Sequence, residues 1–345
     1  MKKSRLWLLL LILCLWATPP AARAARTTLT LLQWNIWHEG TQVDGGYDAI
    51  VAELARLRPD FVTFSEVRNY NDRPFCRRLL ADLQARGLTY YSFFSNGTGL
   101  LSRYPLTDSA TVYHGSGSIH RLVTRVEGQE VAVYSVHLDY LNDAYYNVRG
   151  YDGSTWKEIA RPQTVREVLE VNDRSQRDDA IRQFIQAADA DRRAGRMVLL
   201  GGDFNEPSHL DWTRATKDLY DHHGFIIPWT VTLLLDNAGY IDAWRERYPD
   251  VLAHPGFTFP SDNPDVPVSK LAWAPKADER DRIDYIFYAP SPRLRLKNIR
   301  LFGPEGCIAF NRRTPDTSDD RFIRPLGTWP TDHKALLATF RLQTR

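Results

Sequence analysis

Short apolar, β-rich runs that end in a polar residue recur along this chain, separated by stretches of helical period. Thr27–Trp34 ends at Asn35, Phe61–Val67 carries Glu66 near its end, and Glu130–Val136 stops at His137. Met197–Leu200 leads through Gly201-Gly202 to Asp203-Phe204-Asn205, Arg282–Tyr288 contains Asp284, and Leu336–Leu342 follows Asp332-His333-Lys334. Runs of this kind read as strands, the continuously apolar ones as buried strands. Tyr90–Phe94, Thr98–Arg103, Thr111–Tyr113, Arg121–Val126 and Leu294–Phe302 read the same way, with Glu127-Gly128 as a hairpin turn.

Helical spacing appears in Asp48–Leu57 (Ile50, Val51, Leu54, Leu57), in Cys76–Arg86 and in Asp178–Ala194 (Ile181, Phe184, Ile185, Ala188). Pro228–Asn237 is a further helix, with Pro at its start and Gly239 past its end. The polar, Tyr-rich stretch Leu141–Asn172 reads as a long excursion over the surface, and Ala253–Asp281 and Gly303–Trp329 read as loop. No repeat, low-complexity tract or linker divides the chain after its first residues.

The stretch around Asp203 is the most informative. Asp203 and Asn205 stand at i and i+2, so on an extended chain both side chains point to one side. The two glycines before them serve either a tight turn or a close backbone approach. An Asx turn at a strand end is the ordinary reading of this stretch taken alone. The other strand-end groups have ordinary readings too: Asn35 as a turn residue, Glu66 as a solvated carboxylate, His137 as a packed histidine, Asp332-His333 as a helix start. Their recurrence behind apolar strands shifts the balance, because rigid strands delivering polar groups to one sheet edge are what a preorganised site needs.

Composition narrows the class. The chain opens with Lys2, Lys3 and Arg5, an apolar run Leu6–Ala17 and the small-residue stretch Ala22-Arg23-Ala24. That is the pattern of a secretory signal peptide spanning residues 1–24, too short to cross a bilayer. Cys14 within it follows Leu13, which is not the small residue a lipoprotein cleavage site needs. The expected mature domain is 25–345, exported to the periplasm or beyond. Cleavage removes four of the 44 basic residues and leaves 40 against 42 acidic ones, a formal charge of −2. Such a balance lacks the basic excess of a protein held on DNA by phosphate contacts alone. Cys76 and Cys307 remain, either as a disulfide pair or as two buried thiols.

Carboxylates and carboxamides without thiolates suit a hard divalent cation, and two histidines beside it suit phosphate binding and proton transfer. Gly-x-Ser-x-Gly, Gly-x-Gly-x-x-Gly and the phosphate loop of nucleotide hydrolases are absent.

The ordered set Gln-Trp-Asn35, Ser-Glu66, Ser-Val-His137-Leu, Gly-Gly-Asp203-Phe-Asn205, Arg-Ile-Asp284-Tyr and Thr-Asp332-His333 resembles the endonuclease/exonuclease/phosphatase superfamily, which is DNase I-like. The resemblance implies an α/β fold, a four-layer αββα sandwich of two mixed sheets packed face to face. It implies Asn35 and Glu66 as ligands of Mg²⁺ (or Mn²⁺ or Ca²⁺) with Asp332 beside the metal. Asp203 would orient or deprotonate the attacking water, and Asn205 would hold phosphate. His333 would contact phosphate, oriented by Asp284, and His137 would be a second phosphate ligand or acid. Arg103, in Leu-Ser-Arg-Tyr-Pro, matches a structural signature of the family. Ser65 stands where Gln is common in the family. His38 and His209 flank site residues, resemble features of a bacterial exported subgroup, and read singly as solvated loop histidines.

The expected function is a metal-dependent hydrolase of phosphoric esters, a monomer acting outside the cytoplasm on a small molecule, a lipid headgroup or a nucleic acid. The near-neutral charge and the Tyr- and Trp-rich loops favour a small-molecule or headgroup phosphodiester over DNA. The alternatives are an extracellular nuclease of the DNase I type and a non-catalytic phosphate-recognising module on the same fold.

Overall fold

The structure is a computed structural model that describes residues 26–93 and 96–343. The expected signal peptide, with Cys14, lies outside the described residues, as does Phe94 at the end of one expected strand. Among the described residues no helix is long and apolar enough to cross a membrane.

In chain order the strands are β1 (Arg26–Asn35), β2 (Phe61–Val67), β3 (Tyr91–Phe93), β4 (Gly97–Ser102), β5 (Leu106–His114), β6 (Ser118–Val126), β7 (Gln129–His137) and β8 (Met197–Asp203). They continue with β9 (Ile241–Asp242), β10 (Asp284–Tyr288), β11 (Leu294–Phe302), β12 (Cys307–Ala309), β13 (Arg312–Thr314), β14 (Phe322–Ile323) and β15 (Ala335–Gln343). The helices are α1 (Gly46–Leu57), α2 (Phe75–Ala85), α3 (Ala144–Val148), α4 (Val165–Asn172), α5 (Arg177–Arg193), α6 (Thr230–Asn237) and α7 (Ala243–Arg247). One sheet has the order β14-β11-β15-β1-β2-β4-β3, the other β5-β6-β7-β8-β10-β9. Both are mixed: β1 pairs parallel with β2 and antiparallel with β15, and β8 pairs parallel with β7 and antiparallel with β10.

Side-chain alternation on the strands builds the layers. On β1, Leu29 and Leu31 point between the sheets, where they meet Leu122, Val133, Leu199 and Ile286 of the opposite sheet. Leu32 and Trp34 point outward against Ile50 and Leu54 of α1 and Leu79 and Leu83 of α2. On the far side, Val198 and Leu200 of β8 pack against Ile181 and Phe184 of α5 and Val231 and Leu235 of α6. The result is the four-layer αββα sandwich.

The structure departs from the sequence reading in several places. The excursion 141–172 contains α3 and α4, and its Tyr145, Tyr146 and Tyr151 are buried in a separate apolar cluster with Trp212 and Trp229. The sequence looked polar there because buried Arg149 supplies the hydrogen bonds that bury it, donating to the carbonyls of Asp278 and Tyr220. The stretch 303–329 carries three short strands, and β5 is longer than Thr111–Tyr113. Cys76 and Cys307 are unpaired. Cys76 packs with Leu79 and Leu83 outside one sheet, while Cys307 Sγ accepts from Lys334 Nζ at 2.7 Å. Each thiol has its own buried setting, so the pairing alternative is overturned.

Gly201 and Gly202 do not turn the chain; β8 runs straight through them. A Cβ on Gly201 would lie 2.4 Å from Thr63 Oγ1, and one on Gly202 would lie 2.2 Å from Val136 O. Close approach is therefore their role. Gly202→Ala is expected to destabilise the protein by about 1–3 kcal/mol, because the obstructing atom is backbone and cannot rotate away. Urea unfolding of the two proteins measures this, and an unchanged midpoint would contradict it.

Candidate active site

All eight strand-end residues singled out in the sequence meet at one edge of the sandwich. Asn35 ends β1, Glu66 lies in β2, His137 ends β7 and Asp203 ends β8, directly across from both His137 and Asp284 in the strand register. Asp332 and His333 immediately precede β15. Asn205 lies two residues beyond β8 with φ 49° and donates from Nδ2 to Leu138 O at 3.1 Å.

Glu66 reaches the centre because β2 bulges there. The pairing register with β4 shifts between Ser65 and Val67, and Glu66 takes φ 68°. A bulge re-aims one side chain out of the alternation, here into the cavity. Facing it, Trp37, His38, Glu39 and Gly40 form a left-handed turn with φ of 37°, 56°, 64° and 73°. Non-glycine residues in that region cost of order 1–3 kcal/mol each unless their surroundings hold them. The holding group is buried Glu39, whose Oε1 accepts from the amides of Arg68 at 2.9 Å and Asn69 at 2.6 Å. The turn delivers His38 to Glu66: its amide donates to Glu66 Oε2 at 3.0 Å and its Nε2 lies 3.2 Å from the same oxygen. His38 thus belongs to the site, whereas His209 bonds to Thr232 away from it.

The centre is a network of carboxylates, imidazoles and carboxamides. Asn35 Nδ2 donates to Glu66 Oε1 at 3.1 Å and to Asp203 Oδ2 at 2.9 Å, and lies 3.3 Å from His333 Nε2. Asn35 Oδ1 accepts from Trp37 N, which fixes the amide orientation. As oriented, Asn35 therefore holds two carboxylates through its nitrogen, while the anionic oxygens come from Glu66, Asp203 and Asp332. His333 Nδ1 lies 2.8 Å from Asp284 Oδ2, and its Nε2 is 3.9 Å from Asp203 Oδ2 and 4.0 Å from Asp332 Oδ1.

The electrostatics follow from burial and proximity. Burial opposes charge on His333, but Asp284 beside it raises its pKa to about 10, so it is an imidazolium at neutral pH. Burial pushes His137 down to about 4, so at neutral pH its ring is uncharged and one nitrogen can donate. Burial, with Asp284 adding to it, lifts Asp203 to about 7; burial likewise lifts Asp332 to about 7, with Glu66 adding to it and His333 opposing. Burial works against ionised Glu66, yet facing His137, His38 and His333 hold its carboxyl below the usual range.

Two buried carboxyls lifted this far mark a cluster short of positive charge, and an all-oxygen donor set fits a hard divalent cation. Asp203, Asp284 and His333 also bring one donor atom each to within 4.8 Å of one another. Asp284 and His333 satisfy each other in that trio, which leaves Glu66 and Asp332, with Asp203, as the oxygens that suit a cation.

Sequence reasoning missed the walls of the site. The site opens into a cavity of about 810 Å³, also lined by Arg68, Tyr70, Asp143, Tyr145, Tyr146, Trp156, Lys270 and Trp273. Arg177, buried on α5, carries the wall: it donates to the carbonyls of Asp139, Leu141 and Asn142 and to Asp143 Oδ1 and Asn172 Oδ1 at 2.8–3.1 Å. The Tyr-rich stretch Leu141–Asn172 was the available signal, while Arg177 on sequence looks like any solvated base.

A four-layer sandwich with carboxylates and histidines gathered at one sheet edge defines the DNase I-like class. A model of the Endonuclease/Exonuclease/phosphatase family matches residues 32–333, and the chain belongs to that family of phosphoester hydrolases. It is 26% identical over 344 residues to an uncharacterized protein of Caenorhabditis elegans, covering 96% of this chain and 98% of the relative. Among solved structures, TDP2 of D. rerio complexed with single strand DNA product aligns with TM-score 0.51 and 16% identity over 91% of this chain and 99% of that one. The human Nocturnin catalytic domain with bound sulfate anion aligns with TM-score 0.50 and 15% identity over 94% and 99%. At these identities the likeness to the two structures is one of fold.

Glu66→Gln removes an anionic oxygen while keeping the side chain's size. It is expected to weaken Mg²⁺ binding on the order of tenfold or more and to leave the metal-free melting temperature within a few degrees. Calorimetric titration of Mg²⁺ into both proteins tests it, and equal affinities would remove Glu66 from the cation site.

Proposed function

We propose that the protein is a divalent-cation-dependent phosphodiesterase that cleaves its substrate by in-line attack of water. The observation that carries this reading is the Asp284–His333 pair at 2.8 Å, with the second nitrogen of His333 turned toward Asp203, Asn35 and Asp332. A buried imidazolium aimed at the one place where water and a phosphate would meet the carboxylates has a purpose in phosphoryl chemistry that a structural ion pair would lack. It also counts against a purely phosphate-recognising module, because a carboxyl lifted to about 7 beside it is poised as a base.

Each group then has a task. Asp203, held by Asn35 Nδ2 and by the Asn205 amide on its other oxygen at 2.9 Å, orients the water and takes its proton. His333, kept charged by Asp284, faces the negative charge that grows on the phosphate oxygens. Neutral His137 and the Asn205 carboxamide provide uncharged hydrogen-bonding groups on the opposite side of the phosphate. A bound Mg²⁺-class ion at Glu66 and Asp332 would supply the charge that neutralises a non-bridging oxygen.

Bis(p-nitrophenyl) phosphate is the test substrate. Turnover is expected with Mg²⁺ or Mn²⁺ and is expected to vanish in EDTA; full activity in EDTA would reject the cation. Asp284→Asn and His333→Ala are each expected to lose on the order of a hundredfold in kcat. The double variant should lose little more than His333→Ala alone, since groups acting as one unit are non-additive. Fully additive losses would separate the pair.

We also propose that the protein is exported, on the strength of the basic, apolar and Ala-x-Ala segments of residues 1–24. Mass spectrometry of the protein from the secreted or periplasmic fraction should find an N-terminus at or near Ala25. An intact Met1 start in that fraction, or retention in the cytoplasm, would reject the proposal.

A further inference from the structure

Part of the cavity wall, around Asp143 and Tyr145, is built to a pattern that cation and phosphate chemistry leave unused. Asp143 is 3% exposed and lines the cavity. One of its oxygens is fixed by Arg177 at 2.8 Å, and among the described residues the other accepts no hydrogen bond. Tyr145, 2% exposed and two residues on, also lines the cavity, and its hydroxyl has no hydrogen-bond partner among the described residues. Neither atom is sealed from solvent; both residues line the cavity, and an acceptor and a donor–acceptor that no protein group occupies are free to bind a ligand there.

Beside this pair runs a strip of rings. Tyr145–Tyr146, Tyr146–Trp156 and Trp156–Trp273 have centroids 4.6, 4.9 and 4.8 Å apart. The strip is fixed from behind by Glu279, whose Oε2 accepts from the Tyr146 hydroxyl at 3.1 Å and from the Trp273 and Ala274 amides at 3.0 Å. The rings meet at 39°, 81° and 50°, so they wall the cavity with faces and edges in turn, and Trp273, 40% exposed, presents the open face. The face suits a flat or chair-shaped ring laid against it. Charge limits what that ring carries. The cavity is lined by Arg68, Lys270 and the His333 imidazolium against Glu66, Asp143, Asp203 and Asp332, the last three pushed toward their neutral forms by burial. Three cations favour one phosphate over a strand of them, and the open oxygen of the Asp143 carboxyl suits a hydroxyl group on the ring.

From these observations we propose that Asp143, Tyr145 and the Tyr146–Trp156–Trp273 strip form a subsite for a polyhydroxylated ring, a sugar or cyclitol, esterified to the scissile phosphate. Asp143 accepts from one ring hydroxyl, Tyr145 bonds a second, and the apolar face of the ring lies on the strip. This subsite rests on the phosphodiesterase reading for its placement but is tested separately from it.

The probes are p-nitrophenyl phosphodiesters of myo-inositol, glucose, thymidine and choline, assayed with Mg²⁺ beside bis(p-nitrophenyl) phosphate. The two polyol esters are expected to exceed the thymidine and choline esters in kcat/KM on the order of tenfold or more. Tyr145→Phe keeps the packing and removes one hydroxyl, so it should lower the polyol-to-thymidine ratio about fivefold to tenfold. In EDTA, without turnover, myo-inositol monophosphate should quench tryptophan fluorescence in the wild type and much less in Tyr145→Phe. Myo-inositol and glucose arms distinguish the two ring sources. A preference for thymidine or choline, equal rates for all four, or a ratio unchanged in Tyr145→Phe overturns the subsite. Quenching without turnover of any diester would instead keep the subsite and reject the phosphodiesterase reading.

Discussion

The site exists because the two sheets touch at one end through hydroxyls and backbone instead of through hydrocarbon. Face-to-face sheets ordinarily stand about 10 Å apart, with interleaved side chains between them. Near Asp203 that spacing closes. Ser65 donates to Val136 O at 3.1 Å and accepts from Asp203 N at 3.1 Å, while Ser135 donates to Phe64 O at 3.1 Å. Gly201 lies against Thr63, which hydrogen-bonds Gln33 at 2.7 Å, and Gln33 in turn lies 3.3 Å from Asp284. The sheets are therefore stitched where the polar strand ends must converge. The Ser65 departure from the family pattern makes sense in this light: a longer side chain would not fit both bonds.

That convergence concentrates charge that would be costly anywhere else. Three buried carboxyls, half-buried Glu66 and two buried imidazoles gather at one point, and an unpaired buried charge is strongly unfavourable. The molecule meets the cost in three ways. Asp284 and His333 neutralise each other, Asn35 shares its amide hydrogens between Glu66 and Asp203, and two further carboxyls are lifted toward neutrality. The backbone contributes as well, in the bulge at Glu66 and the left-handed turn 37–40. These local departures from regular geometry sit at the centre of the site, where strain that the surroundings over-determine is most often stored.

The walls depend on a second set of buried charges. Arg177 and Arg149 gather carbonyls from segments that would otherwise be loose loops, and Arg149 faces Asp281 at 2.7 Å. With their backbone groups satisfied, the tyrosines of the 141–172 segment can enter a core of their own beside Trp212 and Trp229. An arginine inside such an assembly is worth more than its charge, because its fork binds several carbonyls in fixed geometry.

Most strands and helices were readable from the chain, because alternation and 3.6-residue spacing are local properties that packing here reinforces, while the αββα class followed from the resemblance carried by the ordered strand-end residues. The same locality explains why Asn35, Glu66, His137, Asp203, Asp284 and His333 stood out. What lay beyond reach was everything decided between segments distant in sequence. His38 and His209 look alike as loop histidines, yet one turns onto Glu66 and the other onto Thr232. Cys76 and Cys307 looked like a possible pair, and packing sends them to separate surroundings. Tyr146 meets Glu279 across 133 positions, and Arg177 meets Asp143 across 34. A chain's pattern states which face of each element is apolar; it carries no record of which polar group a long segment will meet once folded back, so the candidate site's centre was written in the strands and its walls were fixed only by tertiary packing.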